Sequence, residues 1–169
     1  TVPMGRAAER PEWLLQPDDL LVVFPKIAEL AARAKESGCR VFAGNNVGYF
    51  GPYEDALRGH LTPKSEGAHW SGCGAGTSTM GIEADGAIKG CPSLPTTAYT
   101  GGNIRARSLR EIWESAPEMA FTRDDRAAEL WGFCKDCYYA EDCQAGCSWT
   151  AHVFFGRRGN NPYCHHRAL

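Results

Sequence analysis

The chain has 169 residues, 43% of them apolar, which suffices for one domain with a buried core or a small domain beside part of another. Its 18 Lys and Arg against 20 Asp and Glu leave a net charge of -2, so no basic excess exists to neutralise a phosphate backbone, and nucleic acid is excluded as a first partner. The longest apolar run, Leu20 to Phe24, is far too short to cross a bilayer, so no membrane partner is expected.

The chain opens Thr1-Val2-Pro3-Met4 without a signal peptide and reads as an internal start within a longer protein. Residues 17 to 38 are predicted helical. Asp18 and Asp19 suit the positive end of the helix dipole, Leu20, Val23, Phe24, Ile27, Leu30, Ala31 and Ala34 recur at helical spacing, and Gly38 ends the run. Pro25 is expected to kink or divide it. Arg40-Val41-Phe42-Ala43 then reads as a short buried strand headed by Cys39, a buried core thiol. Helix, apolar strand and Gly44-Asn45-Asn46 together look like one unit of a parallel α/β fold whose partner strands are missing.

Residues 44 to 78 are rich in Gly, Pro, Asn and Ser and read as loop, with a short helix around Tyr53 to Arg58. Met80 to Lys89 is predicted as a hairpin. A three-residue loop, Ala84-Asp85-Gly86, pairs Ile82 with Ile88 and puts Gly86 where a positive φ is needed. Ser108-Leu109-Arg110-Glu111 is a capping box ahead of a helix with Leu109, Ile112 and Trp113 on its apolar face. Pro117 ends that helix or begins a second one running to Phe121.

Eight cysteines are too many for an ordinary domain. Cys134-x2-Cys137-x5-Cys143-x3-Cys147 places four soft ligands close together, Cys164 follows, and Cys73 and Cys91 lie on either side of the hairpin. Three chemistries compete. Disulfides fit poorly with an α/β remnant of cytosolic type and no secretory signal. Zinc suits a C-x2-C half-site, but zinc knuckles usually come in pairs and only one is present. Iron–sulfur clusters accept such irregular, long-range ligand sets.

The order C-x(9–15)-G-x4-C, gap, C-x2-C-x5-C-x3-C, gap, C resembles the seven-cysteine signature of the SPASM domain. That domain is the C-terminal auxiliary extension of many radical S-adenosylmethionine enzymes, peptide and protein maturases among them. Cys73, Gly86, Cys91, Cys134, Cys137, Cys143, Cys147 and Cys164 fill every slot. Gly102-Asn103 and Ser108-Leu109-x-x-Ile112-Trp113 look like the linker between its halves. The resemblance implies an α+β chain. Residues 1–69 would be the C-terminal remnant, the last βα unit, of a partial (β/α)6 barrel, and residues 70–169 the SPASM domain, a hairpin and short helices around two [4Fe–4S] clusters. It implies that Cys134, Cys137, Cys143 and Cys164 hold the distal cluster and that Cys73, Cys91 and Cys147 hold the barrel-proximal one. It also implies cytoplasmic electron transfer, a peptide or protein substrate such as a ribosomal precursor peptide, and an electron donor such as a ferredoxin or flavodoxin. A non-catalytic iron–sulfur or zinc module that docks peptides is the alternative.

The barrel's own C-x3-C-x2-C motif is absent from this sequence. A third [4Fe–4S] cluster and S-adenosylmethionine therefore belong to the longer parent, and these residues are not expected to be catalytic alone. The extra cysteine that some relatives carry after the first is also missing, and Thr77, Ser78 and Thr79 are poor iron ligands. The proximal cluster is thus expected to keep an open or exchangeable corner. Asn45-Asn46-Val47-Gly48-Tyr49 is a candidate lining of the cofactor or substrate cavity, or simply turn sequence. His165 and His166 read as surface histidines and His69 as a loop residue next to Trp70. Trp131, Tyr138, Tyr139 and Trp149 read as an apolar shell that keeps water off a cluster. With few long periodic elements after residue 70, the metal-free form is expected to be largely unfolded there.

Overall fold

In the computed structural model, which describes residues 9–44, 51–59, 70, 72–123 and 127–169, the predicted first helix runs from Leu20 to Glu36 (α1) behind a 3-10 turn at Pro17–Asp19. The Gln16 N–H donates to the Asp19 carboxylate at 2.7 Å, and Pro17, which has no N–H to leave unpaired, starts the turn. Pro25 does not divide α1, which continues through it. Leu20, Phe24 and Ala28, four residues apart, make the buried stripe, whereas Leu30 faces outward. Gly38, at φ +74°, ends the helix, and the Cys39 N–H turns back onto the Ala34 carbonyl.

The predicted strand at Arg40–Ala43 is not formed. Residues 39–44 have no regular structure, and Phe42 is 65% exposed. No strand among the described residues runs beside them, and an apolar tetrapeptide has no ladder to join without one. The Asn45–Tyr49 stretch lies outside the described residues, as does His69. The short helix expected near Tyr53 is Glu54–Arg58 (α2). It packs with α1 against the C-terminal end of the chain, so that Leu20, Phe24, Leu57 and Tyr163 share one core. The Tyr163 hydroxyl donates to the Leu15 carbonyl and ties the two ends together.

The middle of the chain is a three-stranded antiparallel sheet in the order β1 (Gly81–Ile82), β2 (Ala87–Lys89) and β3 (Thr100–Asn103). The hairpin register is the predicted one, Ile82 opposite Ile88 with Gly86 at φ +89°. The third strand falls where the sequence reads as a linker, and a short helix, Thr96–Tyr99 (α3), precedes it. Ser108 and Glu111 form the expected reciprocal cap on Leu109–Ser115 (α4), and Pro117 opens Pro117–Ala120 (α5). Both helices lie directly on β3, closing a core of Ile88, Ile112, Ala116 and Met119. Gly101 allows this approach: a Cβ there would sit 2.8 Å from Met119 Cγ and 2.9 Å from Ala116 Cβ. Lys89 is buried, pairs with Glu83 at 2.5 Å and donates to the carbonyls of Leu94 at 2.7 Å and Pro92 at 3.1 Å. It thereby pins the loop that carries Cys91.

From residue 127 onward the chain forms only short pieces, among them Ala140–Cys143 (α6), Ser148–Phe155 (α7) and His165–Ala168 (α8). The fold is α+β, and no helix among the described residues is long and apolar enough to cross a membrane.

Candidate metal centre

Four of the predicted cysteines are delivered by ends and turns rather than by one element. Cys134 closes a 3-10 turn at Gly132–Cys134, Cys137 follows in a turn, Cys143 is the last residue of α6, and Cys164 is the residue before α8. Gln144 and Ala145 then adopt left-handed conformations, φ 52° and 58°, a state that costs about 1–2 kcal/mol per non-glycine residue. On a continuous helix, residues four apart share a face. The left-handed turn breaks that relation between Cys143 and Cys147.

Cys134, Cys137, Cys143 and Cys164 line one small, partly open cavity of about 20 Å³, whose remaining wall is Phe133, Tyr139, Ala140, Ala145 and His166. Cys147 is not in that wall. The His166 ring lies 5.1 Å from that of Tyr139 and 6.1 Å from that of Phe133. Burial pushes the Cys134, Cys143 and Cys164 thiols up, Cys164 to about 11, and neighbouring thiols push each further in the same direction. Backbone N–H groups pull the other way: Asn161 donates to the Cys134 sulfur, Gly146 to that of Cys143, and Arg167 and His166 to that of Cys164. Four soft donors, apolar walls and N–H groups on the sulfurs suit a thiolate-bound metal centre that brings its own positive charge. Among the described residues, no three His, Cys, Asp or Glu side chains close on a point as they would around a single metal ion.

Cys73 and Cys91 lie elsewhere. Both are half-buried against a cluster of Ala75, Leu94 and Phe121. Cys147 is buried beside Cys143 and Cys164, and Trp149 packs against both clusters. The turn after Cys73 is held by its own hydroxyls and by the end of α5. Thr79 Oγ1 donates to the Gly74 carbonyl at 3.1 Å, Thr77 Oγ1 meets Thr122 Oγ1 at 2.9 Å, and Arg123 Nε donates to the Gly76 carbonyl at 2.5 Å.

Several sequence expectations are corrected. Cys39 is exposed, not buried, because the strand it was to head does not form; it lines a cleft with Lys35 and Arg40. His165 is not a surface residue: it is 3% exposed, wedged against Phe24 and Tyr53, and burial lowers its pKa. Of the four aromatics expected to form a shell, Tyr139 and Trp149 pack against the cysteines. Tyr138 is 90% exposed, and Trp131 packs on Phe155 and under Arg157. Trp70, left unassigned by the sequence, joins the wall beside Cys143, Cys147 and Cys164. Phe133 and His166 were also missed as cavity residues. Their adjacency to Cys134 and near-adjacency to Cys164 was the available signal.

Residues 73–138 match the family model described as SPASM, an iron–sulfur cluster-binding domain. The chain is 38% identical over 97 residues to the AdoMet-dependent heme synthase of Methanosarcina barkeri (strain Fusaro / DSM 804), an alignment covering 57% of this chain and 26% of that protein. The chain thus spans about a quarter of that relative's length. No solved structure matches it. The resemblance to the SPASM domain is borne out over residues 73–138, the segment that matches an iron–sulfur cluster-binding domain.

Proposed function

We propose, for a chain that carries a SPASM iron–sulfur cluster-binding domain, that it holds two auxiliary [4Fe–4S] clusters within a longer S-adenosylmethionine-dependent enzyme that modifies a peptide or protein. The observation that carries this reading is the single cavity lined by Cys134, Cys137, Cys143 and Cys164. These four are the proposed ligands of the distal cluster. Cys73, Cys91 and Cys147 are the proposed ligands of the proximal one, supported by the apolar cluster under the first two and by Trp149, which reaches from there to Cys147. When bound, the clusters supply one-electron transfer, and at an open iron a point of attachment for substrate. The chain orients the thiolates through turns and helix ends, donates N–H groups to their sulfurs, and limits water with Phe133, Tyr139, Trp149 and His166.

Residues 1–69 would belong to the barrel that carries the third cluster and S-adenosylmethionine. The exposed apolar side chains Leu21, Val22 and Leu30 support this, since a neighbouring element would cover them. A ferredoxin or flavodoxin in the cytoplasm would deliver the electrons. Anaerobic reconstitution should load about eight iron and eight sulfide per chain, the content of two cubanes. One or two zinc equivalents with no visible sulfide-to-iron absorption would instead support a structural zinc module.

The similarity to an AdoMet-dependent heme synthase favours a second reading of the substrate, a tetrapyrrole. The gene neighbourhood separates the two: a short precursor-peptide frame supports the peptide, and genes for tetrapyrrole synthesis support the alternative.

A further inference from the structure

We propose that the side-chain amide of Asn161 is a hydrogen-bond donor to the sulfur atoms of the distal centre and so sets the potential of the cluster held there; this rests on the iron–sulfur reading of that site. Asn161 is 1% exposed and lies three residues before Cys164. Its backbone N–H already donates to the sulfur of Cys134, so the residue sits against a proposed ligand. Its two amide ends are distinguishable. The Tyr163 N–H, which is only a donor, points at Oδ1 at 2.9 Å, so that end is the oxygen and Nδ2 is the other. The backbone carbonyl accepts from Arg167 Nη1 at 3.4 Å. The other polar atom of the side chain, Nδ2, is buried without an acceptor among the described residues.

A buried amide N–H left unpaired is costly, and native proteins rarely keep one without a reason. Its neighbour Asn160 has no such vacancy: its Oδ1 accepts from Arg167 Nη1 at 3.1 Å, and its amide nitrogen is not left buried and unpaired. The acceptor missing from the protein is what an iron–sulfur cluster would bring, namely inorganic sulfide and thiolate sulfur carrying negative charge. An N–H donated to those sulfurs favours the reduced, more negative state, and hydrogen bonds to sulfur are among the levers that tune cluster potentials.

The test is an electron-paramagnetic-resonance redox titration of the reconstituted 169-residue chain, following each cluster separately. Asn161→Leu keeps the branched shape, at a larger volume, and removes the donor together with the Oδ1 acceptor of the Tyr163 N–H. It is expected to move one cluster to a lower potential and leave the other where it was. Equal potentials in the variant and the wild type would overturn the proposal. A second measurement needs no variant. With nitrogen-15 placed only in asparagine side chains, the reduced wild-type protein should show a nitrogen hyperfine coupling to one cluster, and its absence would also overturn the proposal. A wild-type chain that takes up no iron would reject the underlying reading itself, whereas iron uptake with unmoved potentials and no coupling rejects the hydrogen bond alone.

Discussion

At the scale of single residues, the cavity thiols make the metal-free protein sensitive to alkali. Burial lifts Cys164 from an ordinary 9.0 to about 11, and Cys134 and Cys143 shift the same way. A group whose folded pKa is raised binds its proton more tightly in the native state than in the unfolded one. Its contribution is therefore complete below pH 9 and disappears as the pH climbs through 11. For Cys164 alone the shift corresponds to about 3 kcal/mol. Urea denaturation of the reduced, metal-free chain should show a midpoint that falls between pH 9 and 11, and Cys164→Ala should flatten part of that slope. A midpoint independent of pH would mean that the thiols are not buried in the metal-free state. Cluster assembly has the opposite sign. Each ligand must shed its proton to bind, so loading should release protons and weaken on acidification.

Among the elements, those legible in the sequence are those specified by local chemistry. The hairpin register followed from alternation and from the need for a glycine at position 86, and the cap on α4 from Ser108 and Glu111. The strand β3 was illegible because its Gly-Gly sequence has poor strand propensity; it is there so that α4 and α5 can reach the sheet backbone. The apolar run at Arg40–Ala43 misled for the converse reason: pairing partners, which local sequence does not encode, decide whether a strand forms. The four cysteines that line the cavity stood out in the sequence by their spacing, but the N–H groups on their sulfurs did not. Those of Asn161 and Gly146 come from residues ordinary in sequence. Gly76, three residues after Cys73, makes the point testable. Its φ is +74°, and a Cβ would run into the carbonyl oxygen of Met119. Gly76→Ala should cost about 1–2 kcal/mol for the left-handed backbone and about 1–3 more for the overpacking. The expected result is a lower urea midpoint at constant slope, together with loss of the cluster proposed for Cys73. A loss limited to the backbone cost would show that the Met119 carbonyl can retreat, and unchanged stability would contradict both parts of the prediction.

For the molecule as a whole, the question is what remains when the metal is removed. The sheet and its two helices have an apolar core of their own in Ile88, Ile112, Ala116 and Met119, and α1 with α2 packs on Leu20, Phe24, Leu57 and Tyr163. The stretch after residue 127 has no long elements, and its main share in such a core is Tyr163 on α1 and α2. Its helices span 3 to 8 residues, too few for stability in isolation, and around Leu130, Ala145 and Ala151 its buried groups are mainly Cys134, Cys143, Cys147 and Cys164. Metal binding would then supply folding free energy where packed carbon does not. The expectation of a largely unfolded metal-free chain after residue 70 therefore narrows to a weakly folded segment, residues 127–169, that opens before the rest. Chelation should expose that segment to protease first and leave a resistant piece that includes residues 81–121. Cys137→Ala should lose one cluster and give the same cleavage pattern without chelator, because the cavity then lacks one of its four thiols. Limited proteolysis read by mass spectrometry decides it. Simultaneous loss of both regions would mean that the sheet depends on the clusters, and protection of both would mean that the short helices hold themselves.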